Sequence, residues 1–269
     1  MSLASSDRPI RGRVESVVRL CLFLYSAIVW CPIRFCTTGF VWDNTWVFAA
    51  NYAAAHGLVN GRDVFWTTGP LGYLVFPQAI GDNLRQGIYF QMAIWAVLLA
   101  ALFDVFWVAR FALGGCAIFA ICLGLSSPLY WFNSVGLENL LLAGALLLIT
   151  VYRWQGGRVR YLAALAMIGV IPLIKLSGGF IAAAALTGLA VDRLIVHGRK
   201  AWADVALSMV VPALVAAVIV AAVAPSMDVI AYVKVSLELV KGYGVAMSYA
   251  GPTFELIDRK STRLNSSHQ

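Results

Sequence analysis

Long apolar segments separated by short basic loops constrain this chain more than any other feature of its sequence. Hydrophobic residues make up 61% of the 269 positions, charged residues only 12%, and the mean hydropathy is +0.81. A soluble domain could not cover so much apolar surface with so few charges. Several segments approach the roughly 20 apolar residues that cross a bilayer. The sequence therefore predicts an all-α, polytopic helical membrane protein.

The basic loops set the predicted orientation of these segments. Four arginines precede the first apolar segment, and no cleavage site follows it, so we expect a retained signal anchor with a cytoplasmic N-terminus. Further spans are predicted over 87–108, 111–130, 137–152 and 205–224. The loops that contain Arg153 and Arg193 are basic and hence cytoplasmic, so an even number of crossings must lie between them. About seven spans result, with the segment 37–86 on the outer side.

The apolar segment 161–196 is interrupted at Lys175, in the sequence KLSGG. A lysine at the centre of the bilayer costs roughly 2.5–3.5 kcal/mol, whereas a turn at the two glycines would leave it at a membrane surface. We therefore predict two short helices, about 161–174 and 180–195, which turn on the outer side. One continuous tilted helix, whose lysine reaches the headgroups, is the alternative.

The outer segment 37–86 is about fifty residues long, which is unusual for a plain connection. Asp43 or Asn44 can cap a helix that has Trp46 and four alanines on one side and ends at Gly57. With tryptophan anchors, such a helix suits the headgroup region of a membrane. The sequence therefore predicts an extracytoplasmic loop that carries interfacial helices.

Several charged residues accompany this loop. Arg62 and Asp63 follow the interfacial helix and form either a solvated turn pair or part of a site. Beyond the last span, the segment 228–252 predicts a second surface helix, ended by the glycines on either side of Tyr243. Lys234 and Lys241 lie on its polar face and can bind a lipid phosphate, or belong to an ordinary solvated surface.

Four short motifs together resemble a known family of enzymes. They are Asp43 just after the first span, a helix ending in His-Gly, the run NGRDVFWTTGPLGYL, and IPLIKLSGG. They are similar to the GT-C glycosyltransferases, in particular the bacterial polyprenyl-phosphate-sugar-dependent members related to protein mannosyltransferases. The resemblance covers about residues 10–250. It implies a bacterial inner-membrane enzyme that transfers a hexose or pentose from a polyprenyl-phosphate donor to a lipid or glycan on the extracytoplasmic face.

The resemblance also implies roles for single residues. The first-loop aspartate of the family is the general base or orients the acceptor, and that role carries onto Asp43. Many members have a second acid beside it, where this chain has Asn44, which weakens an acid-pair or metal-binding mechanism. Asp63 is a second candidate carboxylate. The leaving phosphate needs nearby cations; the predicted substrate-binding residues are Arg62, Lys175, Lys234, Lys241 and Tyr243.

Other functions stay open at the level of the sequence. Asp43 is equally suited to cap the interfacial helix, where the helix dipole favours a carboxylate. A transporter or flippase-like protein and a non-catalytic membrane subunit are the alternatives to an enzyme. The chain has none of the nucleotide-binding, zinc-protease or nucleic-acid-binding motifs. No cofactor is predicted, with a divalent metal as the alternative.

The last twelve residues, 258–269, differ abruptly from the rest of the chain. They are polar and serine-rich, without periodicity, and resemble a translated adaptor sequence; a natural disordered tail is the alternative. We therefore expect residues 1–257 to be part of a GT-C-like transmembrane domain that continues further in the natural protein. The residues 258–269 are then a non-native tail.

Overall fold

The computed structural model of the chain describes residues 7–33, 44–59, 61–64, 68–108, 112–125, 137–225 and 227–247. Within these ranges the helices are α1 (Asp7–Val29), α2 (Asn44–Ala55), α3 (Asn83–Phe103), α4 (Leu113–Leu125), α5 (Leu137–Gln155), α6 (Arg158–Ile174), α7 (Leu176–His197), α8 (Trp202–Val223) and α9 (Val229–Met247). Short 3₁₀ turns cover Gly72–Leu74 and Gly198–Ala201, and a π-helical turn covers Asp104–Val108. The described residues form no strand, so the predicted all-α class is confirmed.

Three helical segments are long and apolar enough to cross a membrane. They are Asn83–Val108, Leu137–Gln155 and Leu176–Val223. The third contains both α7 and α8, each of 22 residues. By their length and composition, these three segments indicate a membrane protein. The other predicted crossings, in α1, α4 and α6, stay predictions, as does the side of the membrane that each loop faces.

The core lies where α5 and α6 pack side by side, with α3 against one face and α8 against the other. Leu98 of α3, Ala145 of α5 and Leu165 of α6 are completely buried there. Between α6 and α8 the backbones come especially close, because a Cβ atom on Gly169 would lie 2.6 Å from the carbonyl oxygen of Pro212. Small residues at such crossings let helices approach, which is the main source of packing energy between helices in a lipid environment.

The predicted break in the segment 161–196 occurs at Lys175. This residue is extended, with φ −154° and ψ 124°, between the last residue of α6 and the first of α7. The prediction that Gly178 and Gly179 form the turn is wrong, since both lie in the first turn of α7. Their small size serves packing instead, because a Cβ atom on Gly179 would lie 2.8 Å from the Cβ atom of Pro172.

One further prediction differs from the structure. The second surface helix, α9, continues through Gly242 and Gly244 to Met247, so Tyr243 lies in a helix and not in a loop. A glycine costs about 1 kcal/mol in a helix, which a helix of this length tolerates. Asp104, at the start of the π-helical turn after α3, pairs with Arg160, whose Nη2 atom lies 3.3 Å from Oδ1 of the carboxylate.

The outer segment is held together by buried side-chain amides. Helix α2 begins at Asn44, one of the two predicted capping positions, and ends at Ala55, two residues before Gly57, which has φ +67°. The fully buried Asn51 donates from Nδ2 to the carbonyl of Phe76 (3.0 Å), and its Oδ1 accepts from the backbone N–H of Gln78 (3.0 Å). Asn83 donates to the carbonyl of Asn51 at 2.7 Å. These bonds fix α2 against the chain that enters α3.

Candidate functional site

The predicted base, Asp43, lies outside the residues that the structure describes. The next residue, Asn44, is the first of α2, so we take the surroundings of this helix as the candidate site. A cavity of about 260 Å³ lies along α2. The residues of α2 in its wall are Trp46, Ala49, Ala50, Ala53 and Ala54. The sequence placed these same five residues on one side of the helix.

The rest of the cavity wall comes from the segment after α2 and from the end of α8. Val59, Val64 and Pro70 contribute from the segment after α2, and Val223 and Met227 from the end of α8 and the residues beyond it. Most of these side chains are apolar and several are small. Apolar walls of this kind are typical of sites that receive the hydrophobic part of a ligand.

The segment that contains TTGPLG is bound to the end of α6. The backbone N–H of Gly69 donates to the carbonyl of Ile174 (2.8 Å), and that of Leu71 donates to the carbonyl of Leu173 (2.9 Å). The last carbonyls of a helix have no partner within it, so this segment provides the missing donors. The approach requires glycine, because a Cβ atom on Gly69 would lie 2.2 Å from the oxygen of Leu173.

Helix α9 contacts the same place through Tyr232. Its hydroxyl donates to the carbonyl of Pro172 at 3.2 Å, and the side chain is buried. Burial raises the pKa of Tyr232 to about 12, so the hydroxyl keeps its proton at neutral pH. The backbone of Tyr232 also touches Gly61, where a Cβ atom would lie 2.7 Å from the tyrosine nitrogen. The end of α6, the outer segment and α9 therefore meet at one point.

Lys175 stands at this meeting point with an acidic neighbour. Its Nζ atom lies 3.9 Å from Oε1 of Glu138, in the first turn of α5. The lysine side chain is 43% exposed, whereas that of Glu138 is only 11% exposed. The ammonium group of Lys175 is therefore accessible to a ligand, while the carboxylate of Glu138 contacts it from the buried side. This contact with Lys175 gives Glu138 a role beyond its place in the first turn of α5.

The structure joins Arg62 and Asp63 as a turn pair. Arg62 donates from Nη2 to Oδ2 of Asp63 (2.9 Å) and from Nε to Oδ1 (3.0 Å). The backbone N–H of Val59 also donates to Oδ2, at 2.9 Å. The bonds from Arg62 and then from Val59 lower the pKa of Asp63 to about 2. A carboxylate with that pKa is a weak proton acceptor at neutral pH, so the geometry favours the turn pair over a catalytic role.

The two lysines of α9 are exposed. Lys234 follows Tyr232 by two residues and hence lies close to the meeting point along the chain. Lys241 lies about 10 Å further along the helix, by the helical rise per residue. Neither forms an ion pair with a carboxylate that the structure describes. The side chain of Tyr243 lies outside the described residues.

Two members of this arrangement, Glu138 and Tyr232, are not among the site residues predicted from the sequence. The signal for Glu138 was its position as an acid at the head of a strongly apolar helix, where a buried partner is expected. Tyr232 gave no signal, because its contact with Pro172 spans sixty residues of chain. Within the described residues, no three side chains of His, Cys, Asp or Glu come together as metal ligands do.

Comparisons with models of known protein families, with curated proteins and with solved structures found no match to this chain.

Proposed function

We propose that the chain is a GT-C-like membrane glycosyltransferase. It would transfer a sugar from a polyprenyl-phosphate donor to a lipid or glycan acceptor. The observation that carries the proposal is the accessible cation of Lys175, held by Glu138 at the point where the TTGPLG segment and α9 meet α6. An ammonium group there suits the phosphate of the donor, and the apolar cavity along α2 suits part of its prenyl chain.

The proposed chemistry needs one base and one cation. The acceptor hydroxyl oxygen attacks the anomeric carbon, and the bond from that carbon to the phosphate oxygen breaks. The electron pair of the broken bond stays on the phosphate, next to Lys175, and the hydroxyl proton goes to Asp43. A single displacement of this kind inverts the anomeric configuration and requires no covalent intermediate with the protein. Asp43 has this role because of the family resemblance and its place directly before α2.

The first test measures sugar transfer by membranes that contain the full chain. Labelled polyprenyl-phosphate hexoses and pentoses serve as donors, and the label is followed into lipid and glycan fractions. We expect Asp43→Asn to lower the rate by about 100-fold or more, since it removes the proton acceptor. The matched control is Asp82→Asn, an exposed acid of the same outer segment that pairs with Arg85; it should leave the rate unchanged.

A second variant tests the place of the donor chain. Ala54 lines the cavity and is exposed within it, so Ala54→Leu should narrow the cavity and raise the KM for the lipid donor. Ala55→Leu makes the same change one residue further on, outside the cavity wall, and is the control. If the wild-type chain transfers sugar from none of the donors, the proposed glycosyltransferase activity is refuted. Normal transfer by Asp43→Asn would refute only the role of Asp43 as general base.

A further inference from the structure

A second cavity, of about 530 Å³, lies at the other end of α7 from Lys175. Its wall is formed where α5 and α7 end and α8 begins, and it includes Tyr152, Arg193, His197, Lys200 and Asp204. By the helical rise, this cavity is about 33 Å from Lys175 along α7. It is therefore separate from the candidate site described above.

Arg193 is held in a fixed position in this wall. Its guanidinium carbon lies 4.4 Å from the centre of the Tyr152 ring, which in turn stacks on Tyr161 with ring centres 4.9 Å apart. Its Nη1 atom lies 3.1 Å from Nε2 of His197. A guanidinium can only donate, so Nε2 of His197 is the acceptor in this contact. The buried Nε of Arg193 has no hydrogen-bond partner among the described atoms.

The charges around the cavity favour an anion. Arg193 and Lys200 are cationic, and the nearby Asp192 is already bound to Arg153 at 2.9 Å. Asp204 is the acidic residue in the wall. Helix α8 follows directly on the 3₁₀ turn Gly198–Ala201, and Asp204 lies in its first turn. Arginine and lysine donors that line one cavity are typical of phosphate binding.

Large apolar side chains are exposed on both sides of the cavity, which indicates contact with lipid. Ile195 is 79% exposed and Trp202 is 61% exposed, on either side of the basic turn Gly198–Ala201. Exposed isoleucine beside tryptophan and basic residues is typical of the boundary between acyl chains and headgroups. We propose that this cavity binds the phosphate of an anionic membrane phospholipid, whose acyl chains lie along Ile195 and Trp202. The inference is independent of the proposed sugar transfer.

The test measures binding of dioctanoyl phosphatidylglycerol to the purified full chain in detergent, by native mass spectrometry. Lys200→Gln and Arg193→Gln should each weaken binding by about fivefold or more, as expected for loss of one cation near a headgroup. Lys200 is exposed, so its variant folds even if Arg193→Gln disturbs the packing on Tyr152. Asp204→Asn should instead strengthen binding, because it removes the negative charge from the wall.

Arg199→Gln is the matched control, since Arg199 is an exposed neighbour in the same turn but does not line the cavity. Its binding should stay within about twofold of the wild type. Equal weakening by Arg199→Gln and Lys200→Gln would indicate diffuse surface charge and overturn the proposal. Equal binding of dioctanoyl phosphatidylcholine would overturn it too. Displacement of the lipid by an equal concentration of inorganic phosphate would identify a free phosphate site and exclude the lipid.

Discussion

Lys175 contacts Glu138 through its side chain and Thr68 through its backbone. Its ammonium group lies 3.9 Å from the buried carboxylate of Glu138, which is a loose ion pair, and 43% of its side chain is accessible. Its backbone forms an isolated bridge with Thr68. A lysine that only filled an ion pair would be expected closer to the carboxylate and less exposed. We therefore interpret Glu138 as the group that orients the cation and an external anion as its second partner.

This interpretation can be separated from a purely structural role. Lys175→Ala leaves the carboxylate of Glu138 buried without its cation, and should lower the free energy of unfolding by about 1 kcal/mol after allowance for the exposed lysine. Adding Glu138→Gln should restore most of that loss, measured by denaturant titration in detergent. Lys175→Ala should also lower the rate of sugar transfer, and this rate should stay low in the double variant, which still lacks the cation. Recovery of both stability and transfer would show that the pair is only structural.

Asp63 gives a pH dependence with a definite sign. Its pKa is lowered from 3.8 to about 2 in the folded chain, first by the hydrogen bond from Arg62. A group with a depressed folded pKa contributes stability above its unfolded pKa and loses it as the pH falls. The melting temperature of the wild type should therefore exceed that of Asp63→Asn at pH 5, and the difference should vanish between about pH 4 and pH 2. A difference that persists at pH 2 would contradict this assignment.

At the scale of elements, the binding of the TTGPLG segment to the end of α6 organises the candidate site. The carbonyls of Pro172, Leu173 and Ile174 are all satisfied from outside the helix, by α9 and by this segment. Unsatisfied carbonyls are especially costly where water is scarce. The segment therefore fixes the end of α6, and with it Lys175, in one position.

Gly69→Ala should disrupt this binding. The added Cβ atom would lie 2.2 Å from the backbone oxygen of Leu173, which cannot move without bending α6. We expect a loss of about 1–3 kcal/mol in the free energy of unfolding, the usual cost of overpacking. Gly114→Ala in α4 is the control, because its Cβ atom would meet nothing within 4 Å and alanine favours a helix. Equal stability of both variants in denaturant titration would contradict the contact.

The sequence predicted elements well where a local signal was strong, and failed where a distant contact decided. Helix α2 followed from its alanines and Gly57, and the break at Lys175 followed from a charge in an apolar segment. The glycines of α9 suggested an end, yet the helix continues through them, because glycine weakens a helix without stopping it. The contacts of Glu138 with Lys175 and of Arg160 with Asp104 join residues far apart in sequence, and no local pattern contains such pairings.

At the scale of the molecule, polar contacts join α5, α6, α7 and α8 at one end of these helices. Arg153 binds Asp192 at 2.9 Å, and the hydroxyl of Tyr161 donates to the carbonyl of Asp204 at 2.8 Å. These contacts bring together the end of α5, the start of α6, the end of α7 and the start of α8. Lys175 lies between α6 and α7, at their other ends. Together these contacts indicate that α6 and α7 form a hairpin, and the positive-inside rule predicts a cytoplasmic position for the basic end.

Labelling of single cysteines tests this arrangement in the intact membrane. The five natural cysteines are replaced first, and cysteine is then introduced by Asp82→Cys, Arg158→Cys or Arg199→Cys, all at exposed positions. We expect a membrane-impermeant maleimide to label position 82 in whole spheroplasts, and positions 158 and 199 only after permeabilisation. A hairpin of α6 and α7 requires the same result at 158 and 199, whatever their side. Labelling of these two positions from opposite sides would instead make α6 and α7 one crossing, with Lys175 inside the bilayer, and would remove the phosphate site proposed there.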